Sequence, residues 1–183
     1  MKTVFKNHLL LLLSLVVFQS KSIFAQDFPK VKESTTPSTI LKKNVKLMVR
    51  LPDNYEASNK KYPVLYFLNG MEETVEEIAT LSQKLQADKS TPDMIVVGID
   101  ISDENVDRMP DKAKSDKILS YFEKELLPAI AKKYRVNGQK ILYGRSLSGS
   151  FPLYAFLNKP TLFNGYIAAS KQWMKKTMII SRD

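Results

Sequence analysis

Seven consecutive residues, Tyr62-Pro63-Val64-Leu65-Tyr66-Phe67-Leu68, carry no charge and do not alternate with polar ones before the chain reaches Asn69-Gly70. Such a run fits a strand covered on both faces, and a strand of that kind needs helices above and below its sheet. The sequence that follows supplies them in alternation. Glu72 to Ala87 is free of Gly and Pro, opens with acids, and spaces Val75, Ile78, Leu81 and Leu85 by three and four residues, which predicts an amphipathic helix. Met94 to Ile99 reads as a second buried strand. Ile118, Phe122, Leu126, Ile130 and Tyr134 recur every four residues, so Ser115 to Tyr134 is the longest predicted helix. Pro128 inside it removes one backbone hydrogen bond and predicts a kink near Lys124. Asn137-Gly138 is expected to close that helix, followed by a strand over Lys140 to Tyr143, a helix over Leu147 to Leu157 and a last strand over Tyr166 to Ala169.

Upstream, Val45, Leu47, Val49 and Leu51 alternate with polar residues, the period of a half-buried strand. Glu56 to Lys61 reads as a polar hairpin connection, making the first strand pair antiparallel. Short strands separated by helices define an α/β fold, with a mainly parallel sheet and helices on both faces. Residues 45–170 form its single domain. Residues 26–44 are expected to be an extended N-terminal lead, because Asp27 to Ser38 is rich in Pro, Ser, Thr and Lys and offers nothing to a core.

The first 25 residues place the protein in a compartment. Lys2 and Lys6 precede an apolar core from Leu9 to Phe18, and Ala25 offers a small residue for cleavage before Gln26, the pattern of an export signal. The alternative, a membrane anchor, requires a longer apolar stretch to cross roughly 30 Å of hydrocarbon. The expected location is periplasmic or extracellular, with no stable membrane span after cleavage. The chain has no cysteine and one histidine, His8, so thiolate and imidazole metal sites are not readable in it and no cofactor is implied. The net charge of +9 becomes +6 without Lys2, Lys6 and Lys21, and the remaining excess lies in scattered pairs such as Lys42-Lys43 and Lys132-Lys133. Scattered lysines without interleaved aromatics do not form a nucleic-acid surface.

In an open sheet of this class, ligands bind beyond the carboxyl ends of the strands. Three segments converge there: Asn69-Gly70-Met71, Asp103 to Asp111, and the turn around Ser146. The apolar run Ile141-Leu142-Tyr143 leads into Gly144-Arg145-Ser146-Leu147-Ser148-Gly149 and then a helix, the layout of a nucleophile elbow. Ser146 can alternatively be an ordinary helix N-cap. Arg108 is either a surface partner of Asp107 or Asp111 or a cation facing substrate, and Trp173 reads as core or rim.

Four ordered segments resemble the Putative esterase family of α/β-hydrolases, which includes esterase D-like and enterochelin esterase-like enzymes. They are Tyr62 to Gly70, Asn105-Val106-Asp107-Arg108, Phe122 to Pro128, and Leu142 to Gly149 with its continuation Leu162 to Tyr166. The resemblance implies an α/β-hydrolase-type fold and a serine ester hydrolase acting on a small-molecule ester. Ser146 is then the nucleophile, the backbone N–H groups of Leu147 and Met71 form the oxyanion hole, and Asn69, Gly70, Arg108 and Arg145 lie on the substrate side. Family members act on acyl-sugars, siderophore esters, feruloyl esters and thioesters.

Departures from the family pattern carry their own expectations. Ser148 replaces a usual glycine where room is short, which suggests strain, and Pro152 should make the elbow helix start late or bend. The family places its acid and histidine after further strands. Their absence predicts a C-terminally shortened fold lacking the last strands, a divergent tail over 171–183, an open edge beside Tyr166 to Ala169, and very low activity. Three readings remain: an incomplete ester hydrolase, a non-catalytic ligand-binding relative, and a partner-binding fragment.

Overall fold

The computed structural model describes residues 31–53, 55–68, 72–101, 112–169 and 178–181. Residues 1–30, where the export signal is expected, the loop expected over Asp103 to Asp111, and Asn69, Gly70, Met71 and Trp173 lie outside the described residues, as does Arg108 within that loop. The strands are β1 (Lys32–Ser38), β2 (Lys43–Arg50), β3 (Tyr62–Leu68), β4 (Ile95–Asp100), β5 (Val136–Arg145), β6 (Gly165–Ala169) and β7 (Met178–Ser181). The α-helices are α1 (Glu72–Ala87), α2 (Lys112–Tyr121), α3 (Leu127–Lys133) and α4 (Ser150–Asn158). The strands form one sheet in the order β1-β2-β4-β3-β5-β6-β7. The inner pairs β4/β3, β3/β5 and β5/β6 are parallel, and the outer pairs β1/β2, β2/β4 and β6/β7 are antiparallel.

The central position falls to β3, whose seven residues are all buried, as its continuous apolar run requires. On one face, alternate residues Tyr62, Val64, Tyr66 and Leu68 join Val45, Leu47 and Val49 of β2 in the main core, under α2, α3 and α4. On the other face a smaller cluster of Met48 and Val96 receives Val75 and Ala79 of α1. Helices therefore cover both faces. α1 has the boundaries its sequence predicts but buries a narrower stripe than expected: Leu81 and Leu85 are exposed, because the helix seats on β2 and β4 through its first two turns. Arg50, buried at the end of β2, ties this contact down through Glu76 of α1 and Asp53. Among the described residues, no helix is long and apolar enough to cross a membrane.

Several local expectations change. The polar segment expected to be a loose lead is strand β1, paired along its length with β2 and ending in the buried Ser38. β2 and β3 are not a hairpin, since β4 inserts between them and takes β2 antiparallel. Asn137-Gly138 does not end the long helix, which stops at Lys133 with Tyr134 already extended. These two residues instead form a bulge inside β5, where pairing with β3 jumps from Tyr62↔Val136 to Val64↔Lys140 and Gly138 adopts φ +90°. The outer edge of β6 is not open, because β7 pairs with it from Gly165↔Ser181 to Ala168↔Met178.

Between α2 and α3 the helix widens into one π-turn, Phe122–Leu126, where the Leu127 N–H reaches back to the Phe122 carbonyl. This is the irregularity expected near Lys124. Pro128 has no N–H to offer the Lys124 carbonyl and its ring collides with it, and an extra residue in the turn relieves both faults. The π-turn drives Phe122 into the core against Tyr66, Phe151 and Phe163. It also presents Glu125 to the β1–β2 turn, where its carboxylate accepts from the Ser38 and Thr39 hydroxyls and the Thr39 and Ile40 amides.

Burial pushes the Glu125 carboxyl up, but these four hydrogen bonds together outweigh it and hold the group below its ordinary value of 4.5. A carboxyl depressed in the folded state stabilises the fold above the unfolded value, and that contribution is lost as pH falls through the folded one. Glu125→Gln should therefore lower Tm at neutral pH and lose less Tm than the parent on acidification from about pH 5 to about pH 3. Parallel Tm–pH curves for the two proteins would contradict this role.

Candidate active site

β5 is held between β3 and β6 as far as Tyr143, and β6 alone continues the pairing to the last residue of β5, with Gly144 opposite Ala168 and Arg145 opposite Ala169. The chain then turns through one 3₁₀ turn, Ser146–Gly149, before α4 begins at Ser150. The late start of the helix follows from Pro152. In this register the proline falls in the first turn of α4, where its missing N–H has no intrahelical partner to lose.

Gly144 sets how tightly the turn can close. A Cβ at this position would stand 2.2 Å from the Ser148 carbonyl oxygen and 2.9 Å from Cδ of Pro152. Only glycine leaves room for that approach, and the approach forces Ser146 into left-handed backbone space at φ +56°. A left-handed non-glycine residue costs roughly 1–2 kcal/mol, so the surrounding packing holds Ser146 in strain. Its side chain is exposed at the carboxyl end of β5. The N-cap positions of the 3₁₀ turn and of α4 fall on Arg145 and Gly149, so Ser146 caps neither.

Ser148 contributes cohesion where strain was expected. Its buried hydroxyl accepts from the Arg145 N–H and lies within donating distance of the Arg145 carbonyl at 2.9 Å and the Leu68 carbonyl at 3.4 Å. The elbow is thus tied to the end of β3, the strand that leads into residues 69–71. This link was missed in the sequence, where nothing marks a contact across 80 residues. Leu147 stands second in the 3₁₀ turn, a position whose N–H has no carbonyl one turn earlier to bond. Such an amide is available to a developing negative charge. Arg145 is exposed, and its guanidinium lies 4.0 Å from Glu77 of α1. Glu77 was likewise not foreseen.

Behind the turn, α4 is fixed at two points. Phe151 and Ala155 are buried in the main core, and the Tyr154 hydroxyl donates to Asp116 of α2, which also takes Lys112. The hydrogen bonds from Lys112 and Tyr154 hold the Asp116 carboxyl below its ordinary range. An open depression of about 540 Å³, bordered by Lys32, Tyr55, Lys133 and Arg135, lies at the amino ends of β3 and β5. It is at the opposite end of the strands from Ser146.

A family profile described as Putative esterase matches residues 38–177. The chain belongs to the Putative esterase family. Solved structures agree with this membership. An IroE-like serine hydrolase from Shewanella oneidensis is 27% identical with a TM-score of 0.67, over 79% of this chain and 52% of its own. A ferulic acid esterase is 28% identical with a TM-score of 0.60, over 74% of this chain and 57% of its own. A siderophore hydrolase from Aspergillus nidulans, at 20% identity and a TM-score of 0.63 over 81% of this chain and 60% of its own, shares the fold. No functionally curated protein matches. This Putative esterase chain has an α/β-hydrolase fold and spans about half the length of the first two of these structures.

Two substitutions test the elbow. Gly144→Ala should destabilise the protein by about 1–3 kcal/mol or more, since the turn must open to admit the methyl group; an unchanged denaturation midpoint would contradict the contact. Ser146→Gly should stabilise it by roughly 0.5–1 kcal/mol, the relief of left-handed strain less the entropy glycine gains on unfolding.

Proposed function

We propose that this chain is the nucleophile-bearing part of an exported serine carboxylic ester hydrolase in which Ser146 attacks the ester carbonyl. The observation that carries this reading is the exposed Ser146 at φ +56°, on a turn closed against Gly144 at the carboxyl end of β5. A serine gains nothing structurally from that conformation, and strain of this kind concentrates at reacting groups.

In the proposed reaction the Ser146 Oγ bonds to the carbonyl carbon and the carbonyl oxygen takes the charge. The backbone N–H of Leu147, joined by that of Met71, stabilises this oxyanion, and each such donor is worth roughly 3 kcal/mol because it meets charge only in the transition state. The alcohol leaves with a proton, and water then cleaves the acyl-Ser146 bond. Asn69, Gly70 and Arg108 belong to the substrate side in this reading. The substrate is a small-molecule ester, and the likeness to a ferulic acid esterase makes feruloyl esters the first to try.

The proton of Ser146 needs an acceptor, and the chain's one histidine, His8, lies in the proposed export signal. With no imidazole in place, binding and oxyanion donors give roughly 10³–10⁴ over water, far below a complete triad. The same observation favours a second reading, a relative that binds esters without turning them over.

Added imidazole separates the two. The chain should hydrolyse p-nitrophenyl acetate slowly and form a fluorophosphonate adduct at Ser146, both faster as imidazole is raised, with Ser146→Ala reduced to the rate of imidazole alone. Equal rates in the two proteins, with no adduct, would leave only the binding reading.

A further inference from the structure

Arg145 immediately precedes Ser146, so their Cα atoms are about 3.8 Å apart. Along β5, Leu142 packs into the main core while Tyr143 stacks on Phe67, with ring centroids 5.1 Å apart, on the opposite face. Alternation places the Arg145 side chain on that second face, and its approach to Glu77 of α1 agrees. Arg145 thus borders the nucleophile on the α1 side of the sheet.

The other two arginines with described side chains are committed to the fold. Arg50 is buried, donates to the Leu51 carbonyl and pairs with Asp53 and Glu76. Arg135 donates to the Tyr55 carbonyl and lies 3.8 Å over the Tyr55 ring. Arg145 is engaged differently. Its side chain is 57% exposed, Glu77 is 69% exposed, and their 4.0 Å separation is the outer limit of an ion pair. A pair this open is worth about 0–1 kcal/mol, so an incoming anion can displace it.

We infer that Arg145 selects esters bearing a second, ionised carboxylate, and that Glu77 opposes this selection as a competing anion. The inference rests on Ser146 being the nucleophile. A guanidinium presents paired donors that match a carboxylate bidentately, a match neutral hydroxyl-bearing groups cannot equal. Any help the cation gives to the oxyanion itself is common to charged and neutral esters. The ratio of their rates therefore isolates recognition of the second charge. The chain's net charge of +9 adds a general attraction for anions, which substitutions at 145 and 77 distinguish from a local one.

The test uses two phosphonofluoridates of equal length, one ending in a methyl ester and the other in a free carboxylate. Their rates of adduct formation at Ser146 are followed by intact mass and peptide mapping in imidazole buffer at low ionic strength. The anionic-to-neutral ratio should fall about threefold to tenfold in Arg145→Ala and further in Arg145→Glu. It should rise about twofold in Glu77→Gln, and salt near 0.5 M should level the differences. A ratio that is the same in the parent, Arg145→Ala and Glu77→Gln, with Ser146 labelled by the neutral probe, would overturn the role of Arg145 alone. Failure of the neutral probe to label Ser146 in the parent protein would overturn the nucleophile and this inference together.

Discussion

The absence of a side chain at Gly144 is the constraint from which the rest of the site follows. Because no Cβ stands there, the Ser148 carbonyl and the Pro152 ring close onto the end of β5. The path from strand to helix then admits only a left-handed residue at 146. Pairing of β5 on both sides fixes where that turn stands, and the Ser148 hydroxyl bonds it to the end of β3. Strain at one serine is thus maintained by an ordered sheet, a buried helix and one hydroxyl bridge. A flexible loop could not hold it, since the chain would relax to an ordinary backbone conformation.

Two prolines within helical sequence are accommodated by different means, and both solutions serve the same core. Pro152 is placed in the first turn of α4 by delaying the helix behind a 3₁₀ turn, and that delay gives the elbow its length. Pro128 is absorbed by a π-turn, whose extra residue turns Phe122 inward and Glu125 outward. Phe122 then gathers Tyr66, Phe151 and Phe163 beneath β3 and β5. Glu125 gathers the β1–β2 turn, so one local irregularity anchors both the centre of the sheet and its far edge.

The central architecture was legible because its signals are local. The unbroken apolar run of β3, the spacing of α1 and the Gly144-to-Gly149 motif each specify their conformation within a few residues. β1 was not legible, because its polar sequence forms a strand only by pairing with the edge of β2 and by handing Ser38, Thr39 and Ile40 to Glu125, more than 80 residues away. The insertion of β4 between β2 and β3 leaves no trace in either strand's pattern, and neither does the cover that β7 gives β6. Asn137-Gly138 is a turn signal that was read correctly as a break but placed in the wrong element, at a helix end instead of inside β5. At the site, the sharp bend at Ser146 was readable from its flanking glycines. The Ser148–Leu68 bond and the Arg145–Glu77 approach depend on which strand and helix lie alongside, which spacing alone does not tell.

Membership of the Putative esterase family and an α/β-hydrolase fold give the strained, exposed Ser146 a chemical context. The most direct measurement is a crystal structure of the chain after reaction with a small phosphonofluoridate in imidazole. The account predicts a phosphorus–Oγ bond at Ser146, with φ still left-handed and a phosphonyl oxygen about 2.7–3.1 Å from the Leu147 N–H. A serine without adduct, or an adduct whose oxygen points away from that amide, would contradict it.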